Sequence, residues 1–187
     1  NVPTAVSVAG NNQEFLKSLS DRFHNGHFRL FLNHDYIGVQ LCGVVKNVMA
    51  IAVGISDGLG FGANTRCALI TRGLSEMARL SVALGGLSET VMSLAGVGDL
   101  VLTCTDNQSR NRRFGLSVGK GFSAENALKE IGESVEGYYN AKQLFQLAKR
   151  NNVSMPIAEQ VYAVLYEHSS ADHVLHELLT HESTMES

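Results

Sequence analysis

Lys46 stands in a stretch that gives a lysine no ordinary company. Its neighbours three, four and seven residues away along a helix are Val39, Cys42, Gly43, Met49, Ala50 and Val53, all apolar or small. A surface lysine shares a polar stripe with other charges, and this one has none. A lysine snorkelling from a helix edge would account for the pattern. So would a lysine closed into a cleft, where desolvation lowers its pKa and lets it exchange a proton near neutrality. Asn47, the next residue, is of a type that orients a hydroxyl or carbonyl, or that faces another helix.

A second concentration of chemistry is "GVGDLVLTCTDNQSRNRRFG", residues 96–115. Ser109 is placed to cap a helix whose first turn holds Arg110, Asn111, Arg112 and Arg113. Free N–H groups, a hydroxyl and planar guanidinium donors together suit a phosphate. Arginines at a helix start oppose the macrodipole, and local rules are broken in this way at functional sites. At least one of Arg112 and Arg113 is expected on a solvated basic face. Asp99, set between Gly98 and Leu100 in apolar surroundings, is a candidate to pair with an arginine or to accept hydrogen bonds from a substrate hydroxyl.

Other apparent motifs carry less. "GLGFGA" (Gly58, Gly60, Ala63), with Glu76 beyond it, has the spacing of a dinucleotide-binding loop. That loop works only where a strand runs into a helix, and here a helix precedes it. A glycine-rich bend between two helices is the better reading. The seven histidines show no HxxxH or HExxH spacing, and no metal site is expected.

The elements that must position these residues follow from periodicity. "TAVSVAG", "NNQEFLKSLSDRFHNG" and "HFRLFLN" read as strand, helix and strand, the unit of a parallel sheet. From Asp35 onward strand signals stop. Asp35 is a plausible N-cap for a long helix through "YIGVQLCGVVKNVMAIAVG". A second long helix, "NTRCALITRGLSEMARLSVALGG", closes on Gly85 and Gly86, and "SETVMSLAG" reads as a short helix from Ser88. Further helices are expected at "SRNRRFGLSVG", "SAENALKEIG" (capped by Ser123), "VEGYYNAKQLFQLAKRN", "MPIAEQVYAVLYEH" (Pro156 in its first turn) and "SADHVLHELLTH", with "ESTMES" frayed at the end. The expected fold is mainly α: an all-helical body over residues 35–187, preceded at 1–34 by a short β-α-β remnant of a Rossmann-type domain whose larger part lies outside this chain.

Composition bounds the function. With 187 residues, 44% hydrophobic and 18% charged, the chain can build a real core. A net charge of −3 and a pI near 6.2 argue against a general nucleic-acid or membrane-surface binder, so any anion binding is local. The run from Ile37 to Ile55 is interrupted by Gln40, Lys46 and Asn47, which favours a buried helix over a membrane span. Three widely spaced cysteines fit reduced thiols rather than a disulfide framework.

Taken together, "GVVKNVMAIAVGISDGLGFGANTRCALITRGLSEM", "GVGDLVLTCTDNQSRNRRFG" and "ESVEGYYNAK" resemble the C-terminal part of bacterial NAD(P)-dependent glycerol-3-phosphate dehydrogenases. The resemblance implies that Lys46 is the proton donor or acceptor. It implies a substrate held by Lys46, Asp99, Ser109, Arg110 and Asn111, and cofactor contacts from Arg110, Ser134 and Glu136. The implied cofactor is NAD or NADP, whose glycine-rich loop belongs to the part outside this chain. The implied substrate pair is dihydroxyacetone phosphate and sn-glycerol 3-phosphate, feeding phospholipid synthesis, in a cytoplasmic homodimer. Two alternatives stand beside it: the substrate domain of a related hydroxy-acid dehydrogenase, and a non-catalytic helical module that binds anions.

Overall fold

The chain begins with two short β-rich runs that pair through a helical crossover. In this computed structural model, which describes residues 2–173 and 176, β1 (Thr4–Ala9) and β2 (Phe28–Asn33) lie parallel in a two-stranded sheet. Their register runs from Thr4 opposite Phe28 to Ala9 opposite Asn33. Between them α1 (Gln13–Phe23) starts on Asn12, whose side chain accepts from the Phe15 N–H. Leu16 is the only buried residue of α1, while Phe15, Phe23 and Phe31 stay exposed. Two strands and one helix do not build a core of their own.

The core forms around α2 (Tyr36–Gly58). Asp35 caps it as expected, accepting from Gly38 N at 2.8 Å. The same carboxylate also accepts from Leu87 N and the Thr90 hydroxyl, both at 2.7 Å. Burial pushes the Asp35 carboxyl up, but these hydrogen bonds outweigh it and hold the group below its ordinary value. α2 is long and apolar enough to cross a bilayer. Its faces are instead covered by α3 (Ala63–Ala83), α5 (Asp99–Thr105), α6 (Arg110–Gly119), α8 (Glu136–Arg150) and α9 (Pro156–Tyr166). Val45, Val48, Met49, Ala50 and Ile51 are fully enclosed there.

α6 lies closest to α2 because glycines line both sides of the crossing. A Cβ added to Gly54 would collide with the Arg112 carbonyl oxygen, and one added to Gly115 with the Ile51 carbonyl oxygen. The two backbones therefore touch directly.

Three features differ from the periodicity reading or escape it. "SETVMSLAG" is not one helix: α4 (Ser88–Val91) is a single turn, and Leu94–Gly98 forms a short π-helical segment running into α5. Ser93 makes the break, since its hydroxyl donates to the Thr90 carbonyl at 2.6 Å and accepts from Ala95 N. Such side-chain bonds compete with the helical ladder. α5 itself was hidden in the sequence by the glycines before it. Glu76, far from any dinucleotide loop, is buried on α3 and caps α9, accepting from Ile157 N at 2.7 Å and Ala158 N at 3.3 Å. Burial pushes its carboxyl up to about 7 despite those two bonds.

Two further helix starts fall where the sequence placed them. Ser123 caps α7 (Ala124–Ile131), and Pro156 opens α9. The helix expected at "SADHVLHELLTH" is helical at Ala171, Asp172 and His173, while most of it, His181 and the "ESTMES" tail lie outside the described residues.

Candidate active site between α2, α5, α6 and α8

Lys46 projects from the middle of α2 and is partly enclosed, its side chain 22% exposed. Its Nζ donates to Asp99 Oδ2 at the first position of α5, so Asp99 pairs with the lysine and not with an arginine. Thr103, one turn further along α5, donates its hydroxyl to the Asp99 carbonyl at 2.6 Å. The π segment runs directly into α5 at Asp99.

Asn47 faces the other way along the same helix. Its Nδ2 donates to Glu136 Oε2 at 3.3 Å, and its Oδ1 accepts from Asn111 Nδ2 at 3.0 Å. Asn111 Oδ1 in turn accepts from Gly137 N at 2.8 Å, satisfying one of the free N–H groups at the start of α8. Gly137 is required by this closeness: a Cβ there would lie 2.7 Å from the Asn47 carbonyl oxygen and 2.8 Å from Asn111 Oδ1. Three helices, α2, α6 and α8, thus converge on a single amide network.

Beside this network lies a cavity of about 250 Å³ lined by Asn47, Thr103, Ser109, Arg110, Asn111, Ser134 and Glu136, among others. Ser109 caps α6 as its spacing suggested, accepting from Arg112 N. The Arg110 guanidinium reaches Glu133 at 3.2 Å, an exposed pair that water screens. A second cavity of about 400 Å³ lies between β1 and α2, lined by Val6, Ser7, Gly43, Gly98 and Asp99. Leu102 borders both.

Of the residues singled out in the sequence, Ser109, Arg110, Asn111, Ser134 and Glu136 meet in one cavity, Asp99 lines the adjoining one, and Lys46 bonds to Asp99. Arg113 is solvated, but Arg112 is not: its side chain is 9% exposed and donates to Asp57, which is 7% exposed. Sequence reasoning gave no place to Thr103 or Glu133. A threonine four residues after Asp99 on a helix shares its face, which is the one signal that pointed to Thr103.

Comparison with known proteins bears on this arrangement. Residues 35–176 match the family described as NAD-dependent glycerol-3-phosphate dehydrogenase C-terminus. The chain is 55% identical over 186 residues to the glycerol-3-phosphate dehydrogenase (NAD(P)+) of Idiomarina loihiensis, covering 99% of this chain and 56% of that protein. A crystal structure of glycerol-3-phosphate dehydrogenase from Coxiella burnetii superposes with a TM-score of 0.93 at 54% identity, over 96% of this chain and 55% of that one. Glycerol-3-phosphate dehydrogenase from Saccharomyces cerevisiae gives 0.83 at 27% identity, over 92% of this chain and 53% of that one. The chain spans about half the length of the curated relatives it matches. It belongs to the NAD-dependent glycerol-3-phosphate dehydrogenase C-terminus family.

Proposed function

We propose that this chain is the substrate-binding and proton-transferring part of a glycerol-3-phosphate dehydrogenase, interconverting dihydroxyacetone phosphate and sn-glycerol 3-phosphate with NAD(P)H for phospholipid synthesis. One observation carries the reading. Consecutive residues of α2 serve two sites at once: Lys46 holds Asp99, and Asn47 holds Asn111 and Glu136 at the anion-suited cavity. A group able to move a proton therefore stands beside a place for a phosphate.

In this reading Ser109, Arg110 and Asn111 take the phosphate, with the free N–H groups of α6 adding neutral donors. Lys46 gives its proton to the substrate oxygen, and Asp99 holds the ammonium in place through that step. Reversed, the lysine recovers the proton from the alcohol. The cavity at Arg110, Ser134 and Glu136 offers a cation, a hydroxyl and a carboxylate, a donor set that fits the polar amide-and-ribose end of a nicotinamide nucleotide. That group, when bound, supplies the hydride.

The division at residue 34 belongs to the same proposal: residues 1–34 complete a nucleotide-binding domain and 35–187 form the substrate domain. The family match beginning at residue 35 and the thin packing of the β-α-β unit support it. We also place the enzyme in the cytoplasm as a homodimer. Its three unpaired cysteines suit a reducing compartment, and exposed Val82, Leu87 and Met92 offer apolar surface for a second subunit.

The test is kinetic, in a full-length enzyme containing this segment. Arg110→Ala should weaken turnover of dihydroxyacetone phosphate by about ten- to a hundred-fold more than that of unphosphorylated dihydroxyacetone, given roughly 1.5–3 kcal/mol for a charge-assisted hydrogen bond; the loss of its cofactor contact falls on both substrates alike. Equal losses on both substrates would remove the phosphate from this cavity.

A further inference from the structure

Arg112 is one residue removed from the cavity-lining pair Arg110 and Asn111, yet it turns the opposite way. Its guanidinium enters the body of the protein and donates to Asp57 near the end of α2. Asp57 accepts from Arg66 on α3 as well, at 3.0 Å. The other arm of the guanidinium, Nη1, donates to Asn107 Oδ1. Nε is buried without a hydrogen-bond partner among the described residues.

Asn107 lies in the segment between α5 and α6, whose residues Asp106, Gln108 and Ser109 line the cavity. That segment closes on itself through Gln108 N to Asp106 Oδ1 at 2.7 Å and Ser109 N to the Asp106 carbonyl at 3.1 Å. The contact that joins its middle to the buried core is Arg112 with Asn107. A buried ion pair is a poor source of stability compared with apolar packing of the same volume, but it fixes geometry. A guanidinium is suited to the task because its planar fork serves two acceptors at fixed angles.

We infer that Arg112, anchored on Asp57, is a positioning residue that holds the turn Asp106–Ser109 against α2 through Asn107, and so sets the shape of the phosphate cradle. This rests on the proposed function and names a part of the same site. Asn107 is exposed and does not line the cavity, so its side chain can be removed without opening the core or touching substrate.

The experiment compares Asn107→Ala, Arg112→Lys and Arg110→Ala in the full-length enzyme, using dihydroxyacetone phosphate and unphosphorylated dihydroxyacetone, with thermal unfolding measured alongside. Loss of one hydrogen bond corresponds to about a five- to ten-fold effect. Asn107→Ala should raise KM for the phosphorylated substrate by that factor, leave kcat within about two-fold and dihydroxyacetone turnover unchanged, and lower the unfolding temperature by no more than a few degrees. Arg112→Lys keeps the charge for Asp57 but loses the fork, and should show the same selective rise in KM. If Arg110→Ala is selective for the phosphate and Asn107→Ala is not, the positioning role is overturned and the site stands. If none of the three distinguishes the two substrates, the phosphate cradle itself is misplaced. Equal damage by Asn107→Ala to both substrates would also overturn the positioning role.

Discussion

Lys46 and Asp99, 53 residues apart in sequence, meet as an ion pair where the middle of α2 faces the first turn of α5. The pair gives each residue a distinct consequence when removed. Lys46→Met in the full-length enzyme should lower kcat by about 100- to 10,000-fold, the range of general acid–base catalysis. Asp99→Asn keeps a hydrogen-bond acceptor but not the charge, and should lower kcat by a smaller factor. Steady-state kinetics of both variants decide the matter: a few-fold change in Lys46→Met would return the lysine to a structural role.

The α2–α6 crossing tolerates no side chain. Gly54→Ala would set a methyl group against the Arg112 carbonyl and within 2.9 Å of Leu116 N. Overpacking of this kind costs roughly 1–3 kcal/mol. Gly43→Ala, on the same helix with nothing within 4 Å of the new methyl, should instead gain about 0.5–1 kcal/mol from helix propensity. Denaturant unfolding of the two variants should move in opposite directions.

Glu76 makes stability depend on pH. Its carboxyl titrates near 7 in the folded chain against 4.5 for the free group, so the native state binds more protons between those values. Its contribution is complete below about pH 4.5, falls as pH rises toward 7 and levels off above, a span of roughly 3 kcal/mol. Glu76→Gln should remove that slope. Unfolding midpoints of the parent and variant at pH 5 and pH 8 check it: parallel midpoints would show that Glu76 does not titrate in this range.

Thiol chemistry should separate the three cysteines. Burial raises Cys42 to about 11 and Cys104 to about 12, whereas Cys67 on α3 is exposed. A thiol reagent at neutral pH should label one cysteine per native chain, at Cys67, and three after unfolding. Native labelling of Cys104 would place α5 differently.

Much of this arrangement was written locally. Asp35, Ser109, Ser123 and Pro156 announce helix starts through their own side chains, and Lys46 stood out because its helix offered no polar stripe. The unread parts depend on contacts between distant segments. Nothing near Arg112 distinguishes it from Arg113 until α6 docks on α2 and brings Asp57 within reach. Glu76 has the sequence of a surface acid and becomes a cap only when α9 arrives. The π segment is obscured for a local reason: its glycines lower helix propensity, yet a Cβ on Gly96 would strike the backbone of Val91, five residues earlier.

The direct contact of α2 and α6 joins Lys46 and Asn47 to Arg110 and Asn111 with no side chain free to slide between them. Under the proposed function, amine and cradle ride on two helices packed backbone to backbone, so their mutual orientation is settled during folding. Substrate binding need not order this half of the pocket, so the entropy lost on association falls on the ligand and on the exposed segment at Glu133 and Ser134. On the proposed reading, the spacing between proton source and phosphate is then set by the fold rather than by the ligand.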